Sequence, residues 1–183
     1  MEIERQFLVK TLPDLPPEYE SLQQGYVALL PEIRIRQIGE SRFTLTVKRG
    51  TGLVREEWET EISRQEFDSL AMRLCPDTMM IEKRRYRIPL VDGNIAELHV
   101  HAGHLSGFSY VEVEFPTEQS ANSFEPPSWF GQEVTEDVRF SYGTLARKDG
   151  MEIVRQILSS SSLPNLPPMR ESKAASSTRP PVW

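Results

Sequence analysis

The feature that most constrains this chain is a charge repeat with a period of two. Glutamates recur at i, i+2 in three β-like segments, as Glu2/Glu4, Glu57/Glu59 and Glu112/Glu114. Cations follow the same spacing at Arg34/Arg36 and Lys83/Arg85, and Lys48 closes the segment "FTLTVK". Successive strand side chains point to opposite faces, so each pair sets both charges on one face. Ile33, Ile35, Phe43, Leu45, Val47, Val111 and Val113 take the alternate positions. The sheet this implies is apolar on one side and ionic on the other. Cross-strand ion pairs on a solvated face explain one such segment; the same device in many segments asks for a ligand.

If these strands close into a barrel with the ionic face inward, its charges leave bulk water, and an unpaired ion there costs on the order of several kcal/mol. A multiply charged occupant removes that cost. Arginine forks and lysines suit phosphate oxygens, and clustered carboxylates suit hard divalent cations such as Mg2+ or Mn2+. The combined set therefore reads as a metal–polyphosphate site.

The 183 residues, 38% of them hydrophobic, suffice for one sizeable core. A net charge of −6 disfavours a nucleic-acid footprint, which needs excess surface Lys and Arg. The lone cysteine, Cys75, allows no internal disulfide and no cysteine-based metal motif, which fits a cytoplasmic setting. No export signal or membrane span is visible; the best apolar run, "YVALL", stops at Pro31.

Strands are expected at the N-terminus, around 24–29, 32–38 and 42–48, and in "LVREEWETEI", "MIEKRRYRIPL", "NIAELHVHA" and "SYVEVEFP", arranged as an antiparallel meander. Asp92-Gly93 signals a hairpin. Ser63 and Glu66 form a capping box ahead of a helix whose Phe67, Leu70, Ala71 and Leu74 share a face, suited to covering a barrel flank. A short helix near 117–124, a turn-rich "EPPSWFGQEVTED" and helices near 141–148 and 150–158 follow. The division expected is one domain over 1–158, and from 159 to 183 a Ser/Pro-rich disordered tail. The fold class is α+β, mainly β.

"EIERQFLV" resembles the Glu-x-Glu-x-Lys signature of the CYTH superfamily, the triphosphate tunnel metalloenzymes. The likeness runs in order through Arg34-x-Arg36, Thr44-x-Thr46-x-Lys48, Glu57-x-Glu59, Lys83-x-Arg85, "HAGHL", Glu112-x-Glu114 and "WFGQEVTED", over about residues 1 to 148. It implies a closed eight-stranded antiparallel β-barrel with flanking helices, a tunnel that takes inorganic triphosphate or a triphosphate ester with Mg2+ or Mn2+. Small bacterial proteins of this kind most often resemble inorganic triphosphatases, and relatives are often dimers. Adenylyl cyclase and thiamine-triphosphatase share the tunnel and stand as alternatives, as does a low-activity polyphosphate-binding protein.

Carried across by position, the resemblance implies that Glu2, Glu4, Glu112 and Glu114 hold the metal with help from Glu57 and Glu59. Arg34, Arg36, Lys48, Lys83 and Arg85 would hold phosphate oxygens, joined by Gln6 and Arg139; the chemistry would fall to Glu2, Glu4, Arg34, Arg36, Lys83 and Arg85. Three positions depart from the pattern: Gln6 replaces a lysine, His99 an aspartate and Val138 a lysine. Glu61, Glu97 and Arg87 share the inward parity and are expected to pair near the mouths, whereas Glu32 is expected to face solvent. His99, His101 and His104 are expected to be hydrogen-bonded or exposed, not ligating.

Overall fold

Alternation of apolar and charged residues is realised as nine strands in a computed structural model that describes residues 1–160. They are β1 (Glu2–Val9), β2 (Glu20–Leu29), β3 (Glu32–Ile38), β4 (Arg42–Arg49), β5 (Val54–Glu61), β6 (Ile81–Pro89), β7 (Ile95–His101), β8 (Ser109–Glu114) and β9 (Phe130–Glu133). The helices are α1 (Arg64–Ala71), α2 (Glu118–Ser123), α3 (Tyr142–Leu145) and α4 (Gly150–Ser160). The expected tail lies outside the described residues from position 161 onward, and Ser159 and Ser160 complete α4 instead of beginning it.

Hydrogen-bonded neighbours run β5-β4-β3-β2-β6-β7-β8-β1, and β1 returns to β5 through Glu2↔Arg55 and Ile3↔Val54. Eight antiparallel strands thus close into a barrel. The order is not the simple meander expected, because β6 joins β2 and β1 lies between β8 and β5. Helix α1 makes the detour possible. It crosses the backs of β3, β2 and β4, carrying the chain from β5 to the open edge of β2.

The capping box forms as expected: Ser63 Oγ accepts from Glu66 N–H, and the Glu66 carboxylate accepts from Ser63 N–H at 2.7 Å. It starts a helix whose Phe67 meets Phe43 at 5.2 Å and packs with Ile35 on the barrel's outside. The opposite flank buries Phe7, Leu98, Val100, Val111 and Val113 beneath α2 and β9. Between β6 and β7 the hairpin closes with Leu90 N–H on Asn94 O at 2.8 Å, and Gly93 supplies the φ of 86° that the turn demands.

Strand β9 was not legible, since two prolines and a glycine mark its segment as a turn. Only four residues pair, and Gly131 is what lets them approach: a Cβ there would sit 3.1 Å from the Leu8 carbonyl oxygen. Helix α3 is likewise shorter than expected, because Ala146 turns its carbonyl to Met79 N–H at 2.7 Å and ends the turn.

The inward residues change character with depth. Along β1 they read Glu2, Glu4, Gln6, Leu8; along β6 Arg87, Arg85, Lys83, Ile81; along β7 Glu97, His99, His101; along β8 Glu114, Glu112, Tyr110. Charge gives way to polar aromatic groups and then to hydrocarbon. At the apolar end Leu8, Tyr26, Ile81 and Tyr110 pack with Phe140, Tyr142 and Leu145 and with Val154 of α4. That end of the barrel is filled.

Candidate active site

The charged end holds a cavity of about 410 Å³. Glu2, Glu4 and Gln6 of β1 and Glu112 and Glu114 of β8 form one wall; Arg34 and Arg36 of β3, Lys48 of β4 and Arg85 of β6 face it, and Glu57 and Glu59 of β5 complete the ring. Ten of the eleven are residues the charge period singles out, and Gln6 is the one the resemblance adds. The register brings the carboxylates together, with Glu4 opposite Glu114 and Gln6 opposite Glu112 across β1 and β8.

The cations are partly spoken for. Lys48 Nζ lies 2.8 Å from Glu2 Oε2 and 2.7 Å from Glu57 Oε2. Arg85 bonds Glu20 at 2.6 Å and Glu97 at 3.0 Å. Arg34 and Arg36 are held more loosely: Arg34 donates to Thr46 Oγ1 at 3.1 Å, Arg36 donates to Gln24 Oε1 at 3.2 Å, and the Nε–H of each is buried without a partner. Two guanidiniums therefore aim unsatisfied donors inside a barrel, an arrangement stabilised by an arriving oxyanion.

The carboxylates split in their titration. Burial, and then the charge of Glu112, pushes the Glu4 carboxyl up to about 7 even though Arg55 opposes this. Burial also works against ionised Glu2 and Glu112, but there the cations win. Lys48 and Arg55 hold Glu2 below its usual value, and His99 and Lys83 hold Glu112 well below. Carboxylates crowded to the point that one is forced toward protonation are a donor set short of positive charge. Hard-oxygen ligation of a divalent cation fits these residues.

Two expected site residues are not on the cavity. Lys83, with 2% of its surface exposed, lies behind Tyr142, its Nζ 3.7 Å from the ring centroid and without a hydrogen-bond acceptor. Burial pulls its ammonium well below the ordinary lysine value, Glu112 opposing and Arg36 and Arg34 reinforcing. Arg139 is further removed. It leaves a 3-10 turn at Val138–Phe140 toward solvent, where Asp137 caps the turn and holds the guanidinium at 2.5 Å. Val138, at the departed lysine position, is exposed.

The histidines are hydrogen-bonded, as expected. His101 Nδ1–H donates to Phe108 O and His104 Nε2–H to Leu145 O, both at 3.0 Å. His99 differs from expectation in having carboxylates beside it. Its Nε2 lies 2.8 Å from Glu112 Oε2, and a ligand atom of Glu97, His99 and Glu112 fall within 4.8 Å of one another. Burial, aided by Lys83, takes the imidazole down to about 4 against the pull of Glu112, so neutral His99 donates to an ionised Glu112.

Arg55, Tyr142, Glu32 and Arg42 also line the cavity and were not assigned to it. Arg55 shares parity with Glu57 and Glu59 on β5, so the signal was present in "VREEWETE". Tyr142 comes from α3 and carries no strand parity. Glu32 faces the cavity and not solvent. Glu97 and Arg87 do pair, at 3.0 Å, at the cavity's rim, while exposed Glu61 pairs with Arg42 at 3.5 Å and not with either of them.

Comparison with known proteins adds an independent line. Residues 1–141 match the model of the CYTH domain. An inorganic triphosphatase of Nitrosomonas europaea is 45% identical over 148 residues, spanning 79% of this chain and 96% of that protein. One from Acetivibrio thermocellus is 32% identical over 155 residues, 80% of this chain and 93% of its own length. A crystal structure of an inorganic triphosphatase superposes with a TM-score of 0.60 at 42% identity, covering 80% of this chain and 94% of that one.

Proposed function

This chain belongs to the CYTH family, and on that footing we infer that it is an inorganic triphosphatase, cleaving triphosphate to pyrophosphate and phosphate. One observation carries the reading: a single chamber inside a closed barrel sets a wall of glutamates against arginines whose donors are unspent.

Arg34, Arg36, Lys48 and Arg85 bind the phosphate chain and spread its charge over fixed donors, which cost no reorganisation as charge shifts to the leaving group. Glu2, Glu4, Glu112 and Glu114, with Glu57 and Glu59, would hold the divalent cation, Mg2+ or Mn2+. When bound, that cation supplies Lewis-acid polarisation of phosphoryl oxygens and a site for an attacking water. Neutral His99 keeps the Glu112 carboxylate ionised and oriented by its Nε2–H. The filled far end of the barrel shields the chamber from bulk water on that side, strengthening every charge interaction within it. Because positioning and electrostatics carry phosphoryl transfer, no covalent nucleophile is needed, and Cys75 takes no part.

The test is phosphate release by the purified protein from triphosphate, thiamine triphosphate, ATP and pyrophosphate, each with Mg2+ and with Mn2+. Preferred turnover of triphosphate is expected. Preference for a triphosphate ester, or none for any substrate with either metal, overturns the assignment.

A further inference from the structure

The strand pairing that closes the barrel sets Glu2 directly opposite Arg55, and so puts a cation on the carboxylate wall. Arg55 Nη2 lies 3.2 Å from Glu2 Oε2 and bonds Glu4 Oε1 as well. Among the described residues it is the one cation paired with Glu4. Its Nε–H is buried with no partner, and the side chain, 17% exposed, borders the cavity. A single guanidinium thus spans the two β1 carboxylates in the manner of a bridging ion. Gln6 fits the same arrangement. Its neutral amide donates to Glu4 Oε1 at 2.5 Å and adds no second positive charge beside Arg55.

Resting on the triphosphatase reading, we propose that Arg55 holds the place of the divalent cation between Glu2 and Glu4, and that it gives way to that cation by swinging its guanidinium onto the phosphate oxygens. A guanidinium and a divalent ion compete for the same carboxylate lone pairs. Once displaced, Arg55 keeps a positive charge in a low-dielectric chamber, where the nearest new acceptor is the bound anion. Cation binding therefore frees an anion ligand, and anion binding frees a cation site. The coupling is reciprocal by linkage.

Calorimetric titration of the full chain tests the swap with two half-reactions that involve no turnover: Mg2+ alone, and triphosphate alone in metal-free buffer containing a chelator. Arg55→Gln is expected to bind Mg2+ at least about five-fold more tightly and triphosphate at least about five-fold more weakly than the native protein. If Arg55 only secures the barrel seam, both affinities fall together, and the proposal is overturned.

Arg42→Gln removes a cation from the same cavity that pairs with Glu61 instead. It is expected to shift Mg2+ affinity by less than about two-fold, since an exposed pair is screened; tightening equal to that of Arg55→Gln reduces the effect to a general field and also overturns the swap. Arg55→Lys keeps the charge and guards against a glutamine variant that fails to fold. An ammonium is more strongly hydrated than a guanidinium and therefore a weaker partner for buried carboxylates, so this variant too should bind Mg2+ more tightly than native while retaining triphosphate better than Arg55→Gln; native-like Mg2+ affinity counts against the proposal. Native protein that binds no triphosphate overturns the triphosphatase reading and the anion half of the swap together. Native protein that hydrolyses triphosphate, with no opposite-signed shift in Arg55→Gln, overturns the swap alone.

Discussion

Arg85 and Lys83 are two residues apart on β6, point to the same side, and live in different worlds. Arg85 stands at the cavity, answered by Glu20 and Glu97. Lys83 sits one layer deeper, 3.7 Å over the Tyr142 ring, among His99, His101, Tyr110 and Tyr142. In the outer layer most charges meet an opposite charge. In the deeper one Lys83 Nζ, His99 Nδ1, His101 Nε2 and the hydroxyls of Tyr110 and Tyr142 are buried with no partner. Strand parity thus reports which side of the sheet a residue faces, and says nothing of its depth along the barrel axis.

The largest expected effect falls on the outer layer. Arg34 is 4% exposed, lines the chamber and keeps a buried Nε–H without a partner. Loss of one preorganised donor to a developing charge costs about 10²–10³ in rate, so Arg34→Ala should lower kcat/KM by about that factor. Steady-state kinetics on triphosphate check it. A loss under ten-fold would erase the distinction between a working outer layer and a sealed inner one.

The inner layer should show itself through pH. In the folded chain His99 is held neutral to about 4, against 6.5 for a free imidazole. Between those values the unfolded chain binds a proton that the folded chain refuses. Stability therefore falls as pH drops from 6.5 through 4, by about 3 kcal/mol for this group. Glu4 works in the opposite sense, because a folded value of about 7 stabilises the fold as pH falls through 7. The clean measurement is a difference. In metal-free buffer His99→Gln should gain about 3 kcal/mol on the native protein between pH 7 and pH 4, read from denaturant unfolding. A gap that stays constant with pH would show that His99 titrates normally.

Lys83 sharpens the contrast from the other side. A buried ammonium without an acceptor costs stability, and a hydrocarbon of similar volume removes that cost, so Lys83→Met should stabilise the metal-free protein by roughly 1–4 kcal/mol. If the residue is kept for turnover, kcat should fall in the same variant by about ten-fold or more. Greater stability with undiminished activity would leave Lys83 outside the chemistry altogether.

These two layers also mark what the sequence could disclose. The period of two disclosed the charged lining, placing on the cavity every residue it selected except Lys83, because inward parity is a local property of a strand; closure into a barrel came from the resemblance. Arg55 carries the same signal, two residues before Glu57 on β5. Tyr142 and the plug around Phe140 and Leu145 could not be read, since they arrive from helices that follow the barrel and meet it only in three dimensions. Arg139 failed for a related reason: Asp137 bends the chain into a capped 3-10 turn, and the guanidinium leaves for solvent. The order of strands was hidden as well, because a crossing helix, and not sequence adjacency, decides that β6 pairs with β2.

The smallest expected effect lies outside both layers. Ser63 starts α1 by accepting from Glu66 N–H at 3.2 Å, and α1 touches the barrel only from without, through Phe67 against Phe43 and Ile35. Loss of such a cap costs about 1 kcal/mol. None of that cost reaches the cavity through a hydrogen bond, since the Ser63 side chain bonds only to Glu66. Ser63→Ala should therefore lower the Tm by a few degrees, as roughly 1 kcal/mol does in a domain of this size, while kcat and KM for triphosphate stay at native values. Ser63→Asp restores the cap's acceptor and should recover the Tm. If Ser63→Ala also changes KM, the flank is mechanically tied to β3 and β4, and the arginines and lysine those strands carry are held in place from outside the barrel as well as from within.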